Sequence, residues 1–260
     1  MSFHSLEHLR ASKFNSSESC KFLEDYDCAL NSYILSKSSE NPSQSIAPSS
    51  IRCLRKSWFR LSGACIDPPH VDSQLDFFAA IGTACHQYIQ SILSVTNQWV
   101  PVDVYFKKFP PNYSYELQNS DYETRISISS PPIRFACDGI LLRNDTYYLL
   151  EIKSIDSGAF VDLSNPLSKH IDQVKTYCAL FNLKQALIVY IDRSYGKIKC
   201  YEVSFSSAEL QSAWQIISDI EKYHKLGIAP PGLPKGDSWC TPSMCPYYQK
   251  CSAYGRYSEI

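Results

Sequence analysis

The chain has 260 residues, 44% of them hydrophobic, so it can bury a full core as one domain with appended segments or as two small domains. Its formal net charge is −1 and its pI is about 6.6, which excludes a strongly basic nucleic-acid binder but not a local basic groove. No apolar run approaches the length of a membrane span, and the N-terminus has no signal-peptide pattern, so we expect a cytoplasmic or nucleoid-associated protein without membrane contact. The eleven cysteines are an odd number, which argues against a fully paired disulfide framework and favours cofactor ligation.

Residues 1–49 are predicted to form a helical extension and linker, with helices over Ser5–Lys13 and Ser19–Leu35. Hydrophobic residues at helical spacing then predict a helix over Ser50–Leu61. Its other side carries basic residues with no acid among them, namely Arg52, Arg55, Lys56 and Arg60. Like charges at this spacing destabilise a helix slightly, and either solvent or a phosphate backbone would offset that cost.

The remaining pattern alternates helices with short β-prone runs. It predicts helices over Asp72–Val95, from Asn165-Pro166 to about Phe181, and from the capping box of Ser206 and Glu209 to about Lys225. It predicts strands at Trp99–Phe109, Tyr122–Ile128, Gln185–Ile191 and Ile198–Val203. Between these lie two longer apolar runs, Pro132–Leu142 and Thr146–Lys153, and Asn144-Asp145 predicts a hairpin turn joining them.

The hairpin register brings two acids together. If Arg143 pairs with Thr146, then Asp138 lies opposite Glu151, and Glu151 shares one strand face with Lys153. Two opposed carboxylates repel each other unless a cation lies between them. The register therefore predicts a site for a divalent metal, although an ordinary surface ion pair of Glu151 and Lys153 is the alternative.

This element order and a small set of its residues resemble the RecB-type branch of the PD-(D/E)XK nuclease superfamily, from about Ser50 to the C-terminus. The matching residues are His86, Asp138, the Glu151-Ile152-Lys153 run, and Gln173 with Tyr177. The resemblance implies an α/β restriction-endonuclease-like core over residues 50–236, with a mixed central sheet flanked by helices, followed by a cysteine-rich tail over 237–260. One departure is Ala136, where the family often has glycine.

The resemblance also implies roles for these residues. Asp138, Glu151, the main-chain carbonyl of Ile152 and His86 would bind Mg²⁺ or Mn²⁺, and Lys153 would activate water or stabilise charge on the phosphoryl group. Gln173 and Tyr177, on one side of their helix, would orient the lysine or a DNA phosphate. Taken alone, His86 is better explained as a hydrogen-bonded histidine of the core.

The tail cysteines form a second group. Cys240, Cys245 and Cys251 close the chain, and Cys53 lies far upstream. This layout resembles the iron–sulfur subset of the family, which includes AddB-type subunits and CRISPR-adaptation nucleases and holds a [4Fe-4S] cluster that would staple the chain ends. The gap after Cys240 is longer than usual in that subset. A zinc site and unrelated buried thiols are the alternatives, with Cys65 as the substitute ligand for Cys53.

The expected function is therefore that of a Mg²⁺- or Mn²⁺-dependent deoxyribonuclease that hydrolyses phosphodiesters by metal-activated water, by resemblance an exonuclease on single strands or DNA ends. Arg52, Arg55, Lys56 and Arg60 are the predicted DNA contacts, with Lys107 and Lys108 as weaker candidates. The chain has no phosphate loop of the NTPase type, which leaves a role for a helicase or another recombination or adaptation protein as partner. The alternatives are a DNA-binding adaptor subunit of such an assembly and an RNA-processing enzyme on the same scaffold.

Overall fold

The computed structural model describes residues 17–38, 43–67, 73–119, 123–234, 236–237 and 239–255, so the helix predicted over Ser5–Lys13 lies outside the described residues. Its helices are α1 (Ser17–Ser38), α2 (Leu54–Leu61), α3 (Ser73–Ser94), α4 (Val102–Lys108), α5 (Ser157–Asp162), α6 (Ser168–Phe181), α7 (Ser207–Leu226) and α8 (Tyr248–Cys251). Its strands are β1 (Tyr115–Asn119), β2 (Thr124–Ser129), β3 (Pro132–Cys137), β4 (Gly139–Arg143), β5 (Thr146–Ile155), β6 (Gln185–Asp192) and β7 (Ile198–Ser204).

The central sheet is mixed. Its order is β4-β5-β6-β7, in which β5 and β6 run parallel and the two outer pairs are antiparallel. The parallel pair needs a crossover connection, which α5 and α6 supply. A second, antiparallel sheet has the order β1-β2-β3.

Helices cover both faces of the central sheet. On one face Leu149 and Ile188 belong to the main core, together with residues of α6 and α7 such as Val174 and Ile217. On the other face Leu150 and Ile152 pack with Ile89 of α3. The period-2 alternation of β5 therefore sends neighbouring residues into two separate cores. This arrangement confirms the predicted α/β class with a mixed central sheet flanked by helices.

The hairpin register is confirmed, and one strand boundary is corrected. Arg143 pairs with Thr146 and Gly139 with Leu150, while Asn144 and Asp145 both have positive φ, as a type I′ turn requires. The run predicted as one strand over Pro132–Leu142 instead breaks at Asp138, so β3 and β4 belong to different sheets. The break takes Asp138 out of the strand ladder and frees its side chain for other contacts.

The strand predicted over Trp99–Phe109 is wrong, because residues 102–108 form the helix α4. Its buried residues, Val102, Tyr105 and Phe106, recur at helical spacing and pack in the main core. Asp103 in the first turn pairs with Lys107 one turn later, which also suits a helix. The β-branched and aromatic composition concealed these signals.

Two helices also begin later than the sequence predicts. The helix predicted from Ser50 begins at Leu54, after a short 3-10 turn over Pro48–Ser50, and the helix predicted from Asn165-Pro166 begins at Ser168. The capping box of Ser206 and Glu209 is confirmed at the start of α7. Within the described ranges, no helix combines the length and hydrophobicity needed to cross a membrane.

Gly139 lies directly after the strand break, with the ring of Trp99 against its Cα. A Cβ built on Gly139 would stand 2.5 Å from two ring carbons of Trp99. Replacing glycine in a strand ordinarily stabilises a protein by about 0.5–1 kcal/mol, whereas overpacking costs about 1–3 kcal/mol. We therefore expect Gly139→Ala to lower the free energy of unfolding, measured by chemical denaturation.

The matched control is the same change in a Trp99→Leu background, where the ring is gone. There Gly139→Ala should be neutral or stabilising, so the two substitutions should show a clear coupling energy. Equal effects in both backgrounds would refute the proposed contact.

Candidate active site

Asp138 is fixed by three hydrogen bonds at the junction of the two sheets. Its Oδ2 accepts a hydrogen bond of 2.7 Å from the main-chain N–H of Ile152, and its Oδ1 lies 3.0 Å from Nδ1 of His86 on α3. Gln90, one turn further along α3, donates from Nε2 to the Asp138 carbonyl at 2.8 Å. The strand break thus places a carboxylate against the edge of β5 in one orientation.

A second set of contacts runs from β5 to α6. Nζ of Lys153 lies 2.5 Å from Oε1 of Glu151 and donates to Oε1 of Gln173 at 3.1 Å. Gln173 in turn donates from Nε2 to the hydroxyl of Tyr177 at 3.0 Å. Because Tyr177 is buried and packed against Phe135, this series fixes the ammonium group of Lys153 from the helix side.

The site is buried and dominated by negative charge. Glu151 is 3% exposed, and burial together with the charge of Asp138 raises its pKa well above the usual range, although Lys153 opposes the shift. For His86, burial lowers the pKa, but the hydrogen bond and charge of Asp138 outweigh burial and raise it overall. The charge of Asp138 therefore disfavours ionisation of the buried Glu151, even though Lys153 is paired with it.

The structure brings the six predicted residues together in two adjacent sets of contacts along β5. His86 and Asp138 form one set with the Ile152 N–H, and the other set joins Glu151, Lys153, Gln173 and Tyr177. The predicted direct opposition of Asp138 and Glu151 takes a different form, since the ladder ends at Gly139 and Asp138 binds the next residue's N–H. Gln90 was missed. The available signal was its spacing, because Gln90 lies four residues after His86 on the same side of α3.

The basic residues around α2 contact the protein itself. Arg55 is 5% exposed, and its guanidinium donates to the carbonyls of Pro230 and Gly255, so it is not available to a phosphate. Arg60 donates to the carbonyl and hydroxyl of Ser43. The predicted DNA-contacting role is therefore wrong for Arg55, whose hydrogen-bond donors are satisfied by carbonyl oxygens from distant segments.

Two other basic residues of this row contact the tail. Arg52 forms a 2.7 Å ion pair with Asp237, and Nζ of Lys56 lies 3.4 Å from the Met244 carbonyl. Both side chains remain partly exposed toward solvent. The weaker candidates are also engaged, since Lys107 pairs with Asp103 and Lys108 donates to the hydroxyl of Tyr147.

The four predicted cluster cysteines, Cys53, Cys240, Cys245 and Cys251, all line one cavity between α2 and the tail. Burial raises the pKa of the thiols of Cys53 and Cys245, while the main-chain N–H of Lys56 and that of Tyr247 donate toward these sulfurs. Cys65 is exposed and does not line the cavity.

Two polar groups in this region suit a bound group in the cavity. The hydroxyl of Tyr247 is buried and has no hydrogen-bond partner among the described residues, and Tyr247 lines the cavity. Nη1 of the buried Arg55 lies 3.5 Å from Sγ of Cys251. An unsatisfied buried hydroxyl is costly, and sulfur atoms of a bound cofactor would accept its hydrogen bond.

Across the described part of the chain, no three His, Cys, Asp or Glu side chains are grouped tightly enough to hold one metal ion. At the candidate active site, the donor chemistry still suits a hard divalent ion, because two carboxylates and an imidazole lie near enough to interact electrostatically. In the tail, the sulfur atoms surround a cavity and do not meet at a point.

No protein-family model matches the chain, and no curated protein matches it. Among solved structures, it is similar to the crystal structure of SSO0001, with 17% identity and a TM-score of 0.48 over 90% of this chain and 98% of that one. It is also similar to an alkaline exonuclease from Laribacter hongkongensis, with 12% identity and a TM-score of 0.38 over 76% and 93% of the two chains. A third similar structure is a phage-related exonuclease from Haemophilus somnus 129PT, with 11% identity and a TM-score of 0.32 over 70% of this chain and 94% of that one. These likenesses are remote and assign no function to this chain.

The raised pKa of Glu151 has a consequence for stability. Between about pH 4.5 and neutrality, the unfolded chain loses this proton while the folded protein retains it, so the free energy of unfolding should fall as the pH rises. Glu151→Gln removes this linkage, and we expect a flatter pH profile in chelator-treated protein, measured by chemical denaturation. The exposed Glu116→Gln is the matched control and should leave the slope unchanged. Parallel profiles for Glu151→Gln and the unmodified protein would contradict the assignment.

Proposed function

We propose that this chain is a Mg²⁺- or Mn²⁺-dependent DNA nuclease that hydrolyses phosphodiester bonds. The observation that carries the proposal is the ammonium group of Lys153, held between the carboxylate of Glu151 and the amide of Gln173 beside the fixed Asp138. A solvated ion pair would need none of this support, and Glu151 is nearly fully buried. Two acids beside a fixed lysine suit phosphoryl chemistry, because the lysine is preorganised to stabilise charge that builds on a phosphoryl group.

Asp138, Glu151 and His86 would hold the divalent ion, with the Ile152 carbonyl as a further oxygen donor. A bound ion would supply Lewis-acid stabilisation of phosphoryl charge and a water nucleophile at neutral pH. It would also relieve the repulsion between the two carboxylates and lower the pKa of Glu151. The imidazole of His86 would favour Mn²⁺ relative to an all-oxygen site.

The protein's own groups have separate tasks. The Nζ–H groups of Lys153 can donate to a phosphoryl oxygen and stabilise the charge that builds on it, because Gln173 prevents the side chain from swinging away. Tyr177 fixes the amide of Gln173 so that its oxygen faces Lys153. Tyr177 and Gln173 are therefore positioning residues.

Replacing the lysine tests the proposal. Lys153→Ala should reduce Mn²⁺-dependent degradation of end-labelled single-stranded DNA by at least about 100-fold, because a fixed cation at the phosphoryl group is lost. Lys222→Ala, an exposed lysine on α7, is the matched control and should degrade DNA at the normal rate.

Gln173→Ala should give an intermediate loss, on the order of 10-fold, since Lys153 remains but is free to move. Activity in Lys153→Ala equal to that of Lys222→Ala would reject the catalytic assignment. Tight DNA binding without turnover by the unmodified protein in either metal would instead favour the adaptor role.

We further propose that the cysteine-lined cavity holds a [4Fe-4S] cluster ligated by Cys53, Cys240, Cys245 and Cys251. The unpartnered hydroxyl of Tyr247 and the guanidinium of Arg55 would then donate to sulfur atoms at the site. The cluster would connect α2 to the tail and close a loop of nearly two hundred residues, which restricts the unfolded chain strongly. Zinc remains the alternative metal, and elemental analysis separates the two.

Protein purified without oxygen should be coloured and contain iron and acid-labile sulfide in equal amounts. Cys251→Ala and Cys53→Ala should each lose iron and the colour, and should unfold at a lower temperature. Cys200→Ala and Cys65→Ala, exposed thiols away from the cavity, are the matched controls and should retain both. A colourless protein that contains zinc would show that the cavity holds zinc and not an iron–sulfur cluster. Loss of iron in Cys65→Ala alone would contradict the proposed set of ligands.

A further inference from the structure

A cation and an aromatic ring connect the candidate active site to the tail. Nζ of Lys169, in the first turn of α6, lies 5.3 Å from the ring centroid of Trp239. Trp239 is fixed by its main-chain N–H, which donates to Oδ1 of Asp237 at 2.9 Å, and Oδ2 of Asp237 accepts from Arg52 at 2.7 Å. We call Lys169 and Trp239 the platform.

The platform lies beside the proposed catalytic lysine. Lys169 precedes Gln173 by four residues, so the two side chains share one side of α6, and Gln173 accepts the hydrogen bond from Lys153. The positive charges of Lys153 and Arg52 both act on Lys169 and, after burial, are the causes that lower its pKa. Three cations therefore lie along one path from the active site to the tail.

The nearby acids pair with two of these three cations and leave Lys169 without a carboxylate partner among the described residues. Glu151 is paired with Lys153, and Asp237 is paired with Arg52. Among the described residues, no carboxylate lies within ion-pair distance of Lys169. Its ammonium group lies over the face of the Trp239 indole ring. The positive charge of Lys169 is therefore available to an anion. The distance of that charge from Lys153 is set by the four-residue spacing between Lys169 and Gln173 on α6.

We propose that the platform binds single-stranded DNA on its way to the active site, with an unpaired base stacked on Trp239 and a backbone phosphate on Lys169. Stacking on an aromatic side chain needs a base released from its duplex partner, and a basic groove with aromatic rings is the usual means of holding a single strand. The lysine is flexible enough to move from the ring to the phosphate as the base arrives. This inference rests on the proposed nuclease function and narrows its substrate to single strands.

The first test measures binding apart from cleavage. Fluorescence anisotropy with a labelled oligothymidine of about ten nucleotides, in chelator so that no cleavage occurs, gives the dissociation constant at several salt concentrations. Lys169→Ala should weaken binding and reduce the slope of log affinity against log salt by about 0.7, the value for one phosphate on a single strand. Lys222→Ala should change neither quantity.

The second test isolates stacking. Trp239→Ala should weaken binding by about 5- to 150-fold, whereas Trp239→Phe should retain most of the affinity. An oligonucleotide in which every base is replaced by an abasic sugar should bind Trp239→Ala and the unmodified protein equally well. A blunt duplex should be insensitive to either platform substitution.

Three results would overturn the inference: an unchanged salt slope in Lys169→Ala, an equal loss for intact and abasic strands in Trp239→Ala, or equal sensitivity of duplex binding to both substitutions. Metal content and unfolding temperature of each variant show whether a loss reflects damage to the tail, since Trp239 adjoins Cys240. Because binding is measured without metal, an inactive protein that passes these tests would contradict the nuclease proposal and leave the platform intact.

Discussion

The repulsion between the carboxylate of Asp138 and that of the buried Glu151 is the constraint on which the rest of the site depends. Folding brings both groups to the edge of β5, where Glu151 is 3% exposed and its pKa is raised. The protein offsets this cost with the Ile152 N–H, the imidazole of His86 and the ammonium of Lys153. Local destabilisation of this kind is typical of functional sites. A divalent cation between the two carboxylates would reduce their repulsion most directly.

Much of the fold follows from local sequence signals. The Asn144-Asp145 turn determines the hairpin register, and the Ser206–Glu209 capping box determines where α7 starts, because both depend on neighbouring residues alone. The helix over residues 102–108 and the strand break at Asp138 depend on tertiary contacts, namely the packing of Tyr105 and Phe106 in the core and the bond from Ile152 N–H. Propensity alone cannot reveal contacts of that kind.

The site shows the same division. Spacing along one element predicted Glu151 with Lys153 and Gln173 with Tyr177, and the structure connects the two pairs through one hydrogen bond. The sequence pattern of the basic residues near α2 does not reveal their partners. A row of basic residues has the same spacing whether it binds DNA or a carbonyl oxygen elsewhere in the chain. Arg55 shows the difference, since the groups that satisfy it lie 175 and 200 residues away in the chain. No pattern within α2 contains that information.

The central claim is that Asp138 and Glu151 together form a cation site. Titration of the chelator-treated protein with Mn²⁺, followed by electron paramagnetic resonance of the free ion, measures this site without any substrate. We expect saturable binding of Mn²⁺ that is weakened strongly by Asp138→Asn and by Glu151→Gln, and left unchanged by the exposed Glu116→Gln. Equal Mn²⁺ binding in all four proteins would contradict it.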